Sequence, residues 1–349
     1  MKKVLSLAIA AALVAPVAAM ADATVYGKVR ISGDYIDRTY YDVDTASKAD
    51  WDDIEINSHA SRLGIKGSED LGNGLKGIYK LEFGVNIAKS TDEFGDSGAD
   101  VITARNAYVG LAGGWGTALI GRHDTPMKMS TGKLDYFADT QADYNSVEGI
   151  TPTSRGHNAG FSDRRADGTV AYITPNWGGF TGAVALIPGE NEEANGFADA
   201  YSLAGMYSNG GLYLAAAYEA GDEEIDALGG SGEPGDLSQW RLGGEYDFGT
   251  IKIGGLYENE KIDNQNTSGT FAEFDKWLIS GAWTLGKNDL KASYFQWENK
   301  ESLQEPKNTG WNLGWDYNFS TRTQFYALYT TGSIEYDTII DNERDVISL

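Results

Sequence analysis

The sequence contains no cysteine and only seven prolines among its 349 residues. Without cysteine the chain can form neither a disulfide framework nor a thiolate metal site. Basic residues are also scarce, because 28 lysines and arginines against 51 aspartates and glutamates give a formal charge of −23. Nucleic-acid binding requires clustered basic residues, so this charge argues against a nucleic-acid partner. The histidines, His59, His123 and His157, are too few and too dispersed to predict a metal site.

The N-terminus has the pattern of a secretory signal peptide. Met1-Lys2-Lys3 is a short basic segment, Val4 to Val17 is apolar but too short for a membrane span, and Ala19-Met20-Ala21 has the small-x-small pattern of a cleavage site. We predict that residues 1–21 are the signal peptide and that residues 22–349 form one exported domain. Loss of Lys2 and Lys3 changes the formal charge of that domain from −23 to −25.

The remaining chain alternates apolar and polar side chains with period two, which indicates β-strands. Between Ser61 and Val85 the apolar face consists of Leu63, Ile65, Tyr79, Leu81, Phe83 and Val85, and the charged face of Arg62, Lys66, Lys80 and Glu82. In lipid every backbone amide must be hydrogen bonded, so an exported chain of strands can span only as a closed barrel. We therefore expect the apolar face to contact lipid and the charged face to line a water-filled interior.

Seven short turns, which contain glycine, asparagine or serine, separate pairs of strands. They lie at Asp70–Gly74, Gly113–Gly116, Pro175–Gly179, Ser208–Gly211, Gly249, Gly286–Asp289 and Ser320–Thr321. Long polar connections alternate with them, beginning with Arg38–Asp53, Ala88–Asp100 and His123–Ser162. With a first and a last strand added, the seven hairpins predict about sixteen strands, an even number as bacterial barrels require. We expect an all-β, transmembrane antiparallel β-barrel with short periplasmic turns and long extracellular loops.

Aromatic residues near the ends of the predicted strands suit the interfacial girdles of such a barrel. They are Trp115, Trp177, Tyr213, Tyr246, Trp283, Trp315 and Tyr317. The alternative is a soluble exported β-sandwich, whose strands would also alternate. In a sandwich the apolar faces would be packed against each other, so the exposure of those faces distinguishes the two folds.

Other motifs resemble functional patterns in their residue types but lack the structural context or spacing that those patterns require. Gly72, Gly74 and Gly77 have the spacing of a dinucleotide fingerprint, but a strand follows them where that fingerprint requires a helix. Ser58 and His59 suggest an outer-wall hydrolase, yet adjacent strand residues point to opposite faces and no nucleophile elbow accompanies them. Acidic clusters around Asp50 and Asp92 offer oxygen ligands for divalent cations without a fixed calcium-loop spacing, and a solvated loop rim is the alternative. We therefore predict no enzyme, no metal site and no cofactor.

Four segments resemble the general porins of Gram-negative proteobacteria. They are TVYGKVRISGDY, SRLGIKGSEDLGNGLKGIYKLEFG, RNAYVGLAGGWGTALIGR and RADGTVAYITPNWGGFTGAVAL, and the resemblance covers nearly all of the mature chain. It implies a sixteen-stranded homotrimeric barrel in the outer membrane, surrounded by its lipids and used by ions and small hydrophilic solutes for passive diffusion. It also implies that the third long loop, His123–Ser162, folds into the barrel and narrows the pore.

In such porins, arginines on the wall face carboxylates on the third loop across the constriction. The resemblance places the wall residues at Arg62, Lys80, Arg105, Arg122 and Arg165, and the loop residues at Asp135, Asp139, Asp143 and Glu148. These local charges nearly balance, whereas the outer loops are acidic and attract cations to the mouth. The sequence hypothesis is a modest cation preference that strengthens as the salt concentration falls.

The C-terminus departs from the family pattern, in which a full last strand ends in an aromatic residue. Here Asp345 to Leu349 supply about half of the 9–11 residues that a spanning strand needs. We expect an incomplete last strand and, because unpaired backbone groups are costly in lipid, poor assembly of the chain as written.

Overall fold

The computed structural model describes residues 22–42, 47–88, 101–145, 161, 163–188, 198–221, 235–264, 269–300, 307–335 and 341–349. These residues form eighteen β-strands, one α-helix and one 3-10 turn. The first nine strands are β1 (Thr24–Lys28), β2 (Ile31–Asp42), β3 (Ser47–Ser58), β4 (Arg62–Gly72), β5 (Leu75–Val85), β6 (Ile102–Gly113), β7 (Gly116–Asp124), β8 (Arg165–Ile173) and β9 (Phe180–Ile187). The others are β10 (Ala200–Asn209), β11 (Leu212–Gly221), β12 (Gly235–Asp247), β13 (Ile251–Asn264), β14 (Gly269–Leu285), β15 (Asn288–Asn299), β16 (Lys307–Asn318), β17 (Gln324–Glu335) and β18 (Asp341–Ser348). Helix α1 is Pro126–Thr131, and the 3-10 turn Gly132–Leu134 follows it. No helix of the described part is long and apolar enough to cross a membrane.

All strands belong to one antiparallel sheet in which sequence neighbours pair from β4 through to β18. β18 also pairs with β2, and β2 pairs with β3, so the end of the chain lies beside its beginning. This is the all-β fold class predicted from the alternation of side chains.

The number of strands agrees with the sequence prediction once two interruptions are recognised. β1 pairs with β4 while β2 pairs with β3, and only Val29 and Arg30 separate β1 from β2. Only residues 59–61 separate β3 from β4, and the N–H of His59 donates to the carbonyl of Arg30 across the gap. β1–β2 and β3–β4 are therefore two bent strands, which makes sixteen strands in circular order.

Hydrogen bonding is incomplete at one place in this circle, so the sheet is not closed along its full height. β1 pairs only with β4, and residues 324–327 at the start of β17 have no partner on the side of β18. The unpaired edge of β1 and the unpaired residues 324–327 both lie where a continuation of β18 would run. β18 itself pairs with β17 only through residues 341–348.

The apolar residues are on the outside, which excludes the sandwich alternative for the described strands. Val29 and Ile54 are 75% and 74% exposed, and Leu81, Ile120 and Leu313 also lie open on the outer face. Charged residues occupy the opposite face, where Asp34, Glu258 and Arg241 are fully buried. A face this apolar is unstable in water and stable against acyl chains, so the core of the molecule is inverted.

The seven predicted short turns all connect consecutive strands. At the first of them Asn73 and Gly74 have φ of 54° and 76°, the left-handed conformation that tight hairpins require and that asparagine and glycine accept. Two local predictions were wrong. Arg38–Asp53 is not a loop throughout, because β2 continues to Asp42 and β3 begins at Ser47. Tyr213 does not belong to an interfacial girdle, because it points inward and is buried.

Candidate functional site: the inner wall and the third loop

Basic side chains on neighbouring strands of the inner wall form a set that we call the basic row. It consists of Lys28 on β1, Arg62 on β4, Lys80 on β5, Arg105 on β6 and Arg165 on β8. Arg122 on β7 is not part of it, because it lies two residues after the outward Ile120 on an unbroken β6–β7 register. Lys28 and Arg62 are direct partners in the β1–β4 register. The row forms because adjacent strands are antiparallel and successive side chains alternate between faces, so basic residues from distant positions reach one surface.

Carboxylates on the same wall pair with part of the basic row. Glu82 accepts hydrogen bonds from Nε of Arg105 at 2.8 Å and from the hydroxyl of Tyr26 at 2.7 Å, and it lies 3.2 Å from Nζ of Lys80. Asp124 lies 2.8 Å from Arg165. Outside the basic row, Asp167 pairs with Arg122 at 2.5 Å.

The third loop connects β7 to β8 and extends to Arg164. Its first segment lies against the inner wall at β10 and β11, two and three strands beyond the last strand of the basic row. The N–H of Met127 donates to the hydroxyl of Ser202 on β10 at 3.2 Å, and the hydroxyl of Tyr213 on β11 donates to the carbonyl of Ser130 at 2.5 Å. Thr125 caps helix α1 by accepting a hydrogen bond from the N–H of Lys128. The inward loop that the resemblance implied is therefore present.

Small wall residues make the space that this segment fills. A Cβ at Gly243 would lie 2.6 Å from a methyl group of Leu134, and one at Gly314 would lie 2.7 Å from the ring of Phe137. Met127, in the same way, packs against Ala204 and Ala217. Larger residues at these positions would push the loop toward the lumen.

The tip of the third loop reaches the basic row through Asp139. Its carboxylate lies 2.7 Å from Nζ of Lys28 and 3.2 Å from Nη2 of Arg62. Burial alone would raise the pKa of this carboxyl, but the hydrogen bond from Lys28 and the charge of Arg62 lower it below its ordinary value. The residue has φ of 60°, a left-handed conformation that aspartate tolerates better than most residues.

The other predicted loop carboxylates have different environments. Asp135 is buried inside the loop and accepts hydrogen bonds from the N–H groups of Phe137 at 2.8 Å and Tyr144 at 3.0 Å. Burial, with the nearby charge of Asp143, raises the pKa of Asp135 well above its ordinary value. Asp143 accepts from the N–H groups of Asp139 and Asn145, both at 2.9 Å, and burial raises its pKa too. Glu148 lies outside the described residues.

The structure brings four of the five predicted basic residues, Arg62, Lys80, Arg105 and Arg165, to the inner wall and one of the predicted carboxylates, Asp139, to the basic row. Arg122 instead shares the face of the outward Ile120. Lys28 was absent from the predicted constriction although it contacts Asp139 directly. The signal for it was present in TVYGKVR, where Lys28 alternates with the outward residues Val25 and Val29. Its contact with residue 139 could not be derived from that alternation.

The two histidines in the described part do not form a catalytic or metal site. Nε2 of His59 lies 2.7 Å from the hydroxyl of Ser32 and 3.5 Å from the carboxylate of Asp34, so one nitrogen faces both groups. A serine–histidine–aspartate relay uses a different ring nitrogen for each partner. No group of three or more candidate ligands suited to a metal ion occurs among the described residues. His157 and the cluster around Asp92 lie outside them.

The fold agrees with comparisons to known proteins. Residues 7–336 match the family model described as Gram-negative porin, and the chain belongs to that family. The major outer membrane protein P.IB of Neisseria gonorrhoeae is 32% identical over 219 residues, which cover 61% of this chain and 55% of that protein. This match therefore spans about half the length of that relative. Outer membrane porin protein 32 of Delftia acidovorans is 29% identical over 335 residues, covering 94% of this chain and 88% of that protein.

Solved structures show the same fold. The anion-selective porin from Comamonas acidovorans has a TM-score of 0.73 and 20% identity, with 93% of this chain and 98% of that chain covered. OmpT of Vibrio cholerae, in a trimer form, has a TM-score of 0.60 and 17% identity, with 94% and 99% covered. The protein is an outer-membrane protein of the porin family, and the relatives named here are described as porins or outer membrane proteins rather than as enzymes.

Proposed function

We propose that the protein forms a water-filled channel through which ions and small hydrophilic solutes diffuse passively. The observation that supports this most strongly is the contact of Asp139 with Lys28 and Arg62, which places a charged loop tip opposite a charged wall inside an apolar shell. Such an arrangement narrows a lumen and keeps it hydrated.

Liposome swelling tests this proposal. Purified protein should admit sugars up to a size limit and exclude larger ones, and planar bilayers should show discrete ohmic steps. Uptake of a single sugar, with exclusion of both smaller and larger ones, would contradict passive diffusion. Liposomes that contain heat-unfolded protein are the matched control.

We further propose that the channel is a homotrimer, because OmpT of Vibrio cholerae shares the fold and is described in a trimer form. The broad apolar outer face supplies area for contacts between copies as well as with lipid. Gel mobility of unheated and heated samples, together with the mass of the detergent-solubilised particle, tests this. A folded monomer at every protein concentration would contradict it.

The wall suggests a selectivity that depends on salt. The five cations of the basic row exceed by two the three carboxylates Glu82, Asp124 and Asp139 that pair with them, which favours anions in the lumen. The acidic outer loops attract cations over a screening length of about 8 Å at physiological salt and about 30 Å at 0.01 M. We propose a chloride preference at high salt that shifts toward potassium at low salt. Reversal potentials in KCl gradients test this, and a potassium preference that does not change with ionic strength would contradict the role of the basic row.

A further inference from the structure

Arg241 lies in the middle of β12, points inward and is completely buried. It is outside the basic row, on the part of the wall against which the third loop packs. A buried guanidinium must satisfy its donors within the protein, because an unpaired charge away from water is very costly. Its partners therefore identify which parts of the molecule it connects.

The partners of Arg241 come from three parts of the chain. On the neighbouring strand β13, Glu258 accepts from both Nε, at 2.7 Å, and Nη2. On the outgoing arm of the third loop, the hydroxyl of Thr131 accepts from Nη1 at 2.7 Å. On the returning arm, the carboxylate of Asp163 accepts from the same nitrogen at 2.6 Å. One side chain thus ties both arms of the loop to the wall.

Aromatic side chains enclose this junction. The guanidinium lies 5.5 Å from the ring centroid of Phe161 and 5.9 Å from that of Tyr144. Tyr144 also donates its hydroxyl to Asp163 at 2.6 Å, which joins the enclosure to the ion pair. Charges shielded from water in this way interact more strongly than exposed ones, whereas the contact of Asp139 with Lys28 is partly open to solvent.

We propose that Arg241 is a positioning residue that holds both arms of the third loop against the wall and thereby sets the width of the channel. Asp139 at the tip has a separate role, because it contributes charge to the lumen. This inference rests on the proposed channel function. Only arginine fits the position. Two nitrogens of its planar guanidinium donate to Glu258, and the third nitrogen donates to both arms of the loop, whereas lysine has a single nitrogen and cannot make all of these contacts.

Single-channel recording in planar bilayers tests the proposal with Arg241→Met, Arg241→Lys and Thr131→Val. We expect Arg241→Met to give a higher conductance, frequent sublevels and a larger sugar size limit, because the loop arms are released. Arg241→Lys should lie between Arg241→Met and the wild type. Thr131→Val removes at nearly constant shape the hydrogen bond from Arg241 and the one that the hydroxyl donates to the carbonyl of Met127, and it should add sublevels without a large change in mean conductance. Lys252→Met is the matched control, because Lys252 also lies on the inner wall but forms its ion pair with Asp247 near a short turn.

A disulfide cross-link tests whether the position of the third loop, rather than the charge of Arg241, sets the conductance. It also provides a second test if Arg241→Met alone folds poorly. A Cβ at Gly243 would lie 3.2 Å from Cγ2 of Thr131, so Thr131→Cys with Gly243→Cys brings two cysteines within disulfide reach if a methyl group of Leu134 shifts. The chain has no other cysteine to compete. In the Arg241→Met background the oxidised protein should have a lower conductance and fewer sublevels than the same protein after reduction.

Wild-type conductance in folded Arg241→Met, with no added sublevels in Thr131→Val, would overturn the proposal. Equal conductance of the oxidised and reduced cross-linked proteins would overturn it as well. If the wild-type protein itself gave no conductance, the proposed channel function would fail instead, so the two failures are distinguishable.

Discussion

The ammonium group of Lys28 lies 2.7 Å from the carboxylate of Asp139, 111 positions later in the chain. Lys28 belongs to the first strand and Asp139 to the tip of the third loop. Their contact joins the beginning of the sheet to a loop whose base is held on the other side of the lumen by Thr131 and Ser130. The loop therefore crosses the interior and is fastened at both ends.

Replacing Asp139 by asparagine should shift selectivity toward chloride. Lys28 and Arg62 would lose their anionic partner, so the excess of positive charge in the lumen would grow. The reversal potential in a KCl gradient measures the shift. Asp135→Asn is the matched control, because Asp135 is buried within the loop and its raised pKa reduces its charge. Equal shifts in both variants would contradict the assignment of Asp139 to the lumen.

Removing Lys28 and Arg62 together should make selectivity sensitive to pH. The lowered pKa of Asp139 means that its ion pairs stabilise the loop above the ordinary value of 3.8 and are lost as pH falls through the lower folded pKa. In Lys28→Met with Arg62→Met, burial remains and only the charge of Arg105 still lowers the pKa of Asp139, so this pKa should be higher than in the wild type. Reversal potentials should then change with pH over a range in which the wild type stays flat. A variant as flat as the wild type would argue against the coupling.

Asp135→Asn should change how the stability of the folded protein depends on pH. Because burial raises the pKa of Asp135, its contribution is fully favourable below the unfolded value and is lost as pH rises through the folded one. Asparagine does not titrate and avoids that loss, but its amide nitrogen cannot accept one of the two backbone hydrogen bonds that the carboxyl accepts. Relative to the wild type, the temperature at which the heat-modified gel band appears should therefore increase in the variant as pH rises. A difference that does not depend on pH would show that Asp135 does not titrate in this way.

Gly314→Leu should narrow the channel. The new side chain would occupy the space of Phe137 and push the third loop toward the basic row, which should lower conductance and slow sugar uptake. Gly281→Leu on the outer face is the control, because the nearest atom to its Cβ is the carbonyl oxygen of Lys252 at 3.8 Å. Unchanged swelling rates in folded Gly314→Leu would mean that the loop is displaced away from the lumen.

Lengthening β18 by a few extended residues should increase the yield of folded protein. The added backbone would pair with residues 324–327 of β17 and with the free edge of β1, and unpaired amides in lipid are costly. Heat-modifiable gel mobility measures the folded fraction. The control is an extension of the same length that contains proline, which cannot donate a backbone hydrogen bond. Equal yields from both extensions would contradict this expectation.

The sequence predicted the strands, their turns and the orientation of their faces. These features are local: period-two alternation assigns Leu81 and Glu82 to opposite faces whatever lies further away, and Asn73-Gly74 is a turn because both residues accept positive φ. The local patterns gave a wrong prediction where two strands pair in spite of their polar side chains. The acidic stretch around Asp50 looked like a loop, but β2 and β3 pair through it because hairpin hydrogen bonds do not depend on side-chain charge.

The amino-acid sequence by itself determined that the protein is exported, that its strands are apolar on one face and that basic residues occupy the other. Only the tertiary structure decided which carboxylate of the third loop meets the basic row. Asp135, Asp139 and Asp143 are the same residue type in the same loop. Asp135 and Asp143 accept hydrogen bonds within the loop, whereas Asp139 contacts Lys28 and Arg62. The physical reason is that the path of a loop depends on contacts with residues far away in the sequence, here Gly243, Gly314 and Arg241. The alternation of side chains along a strand predicts which face a residue occupies, but it does not predict such contacts.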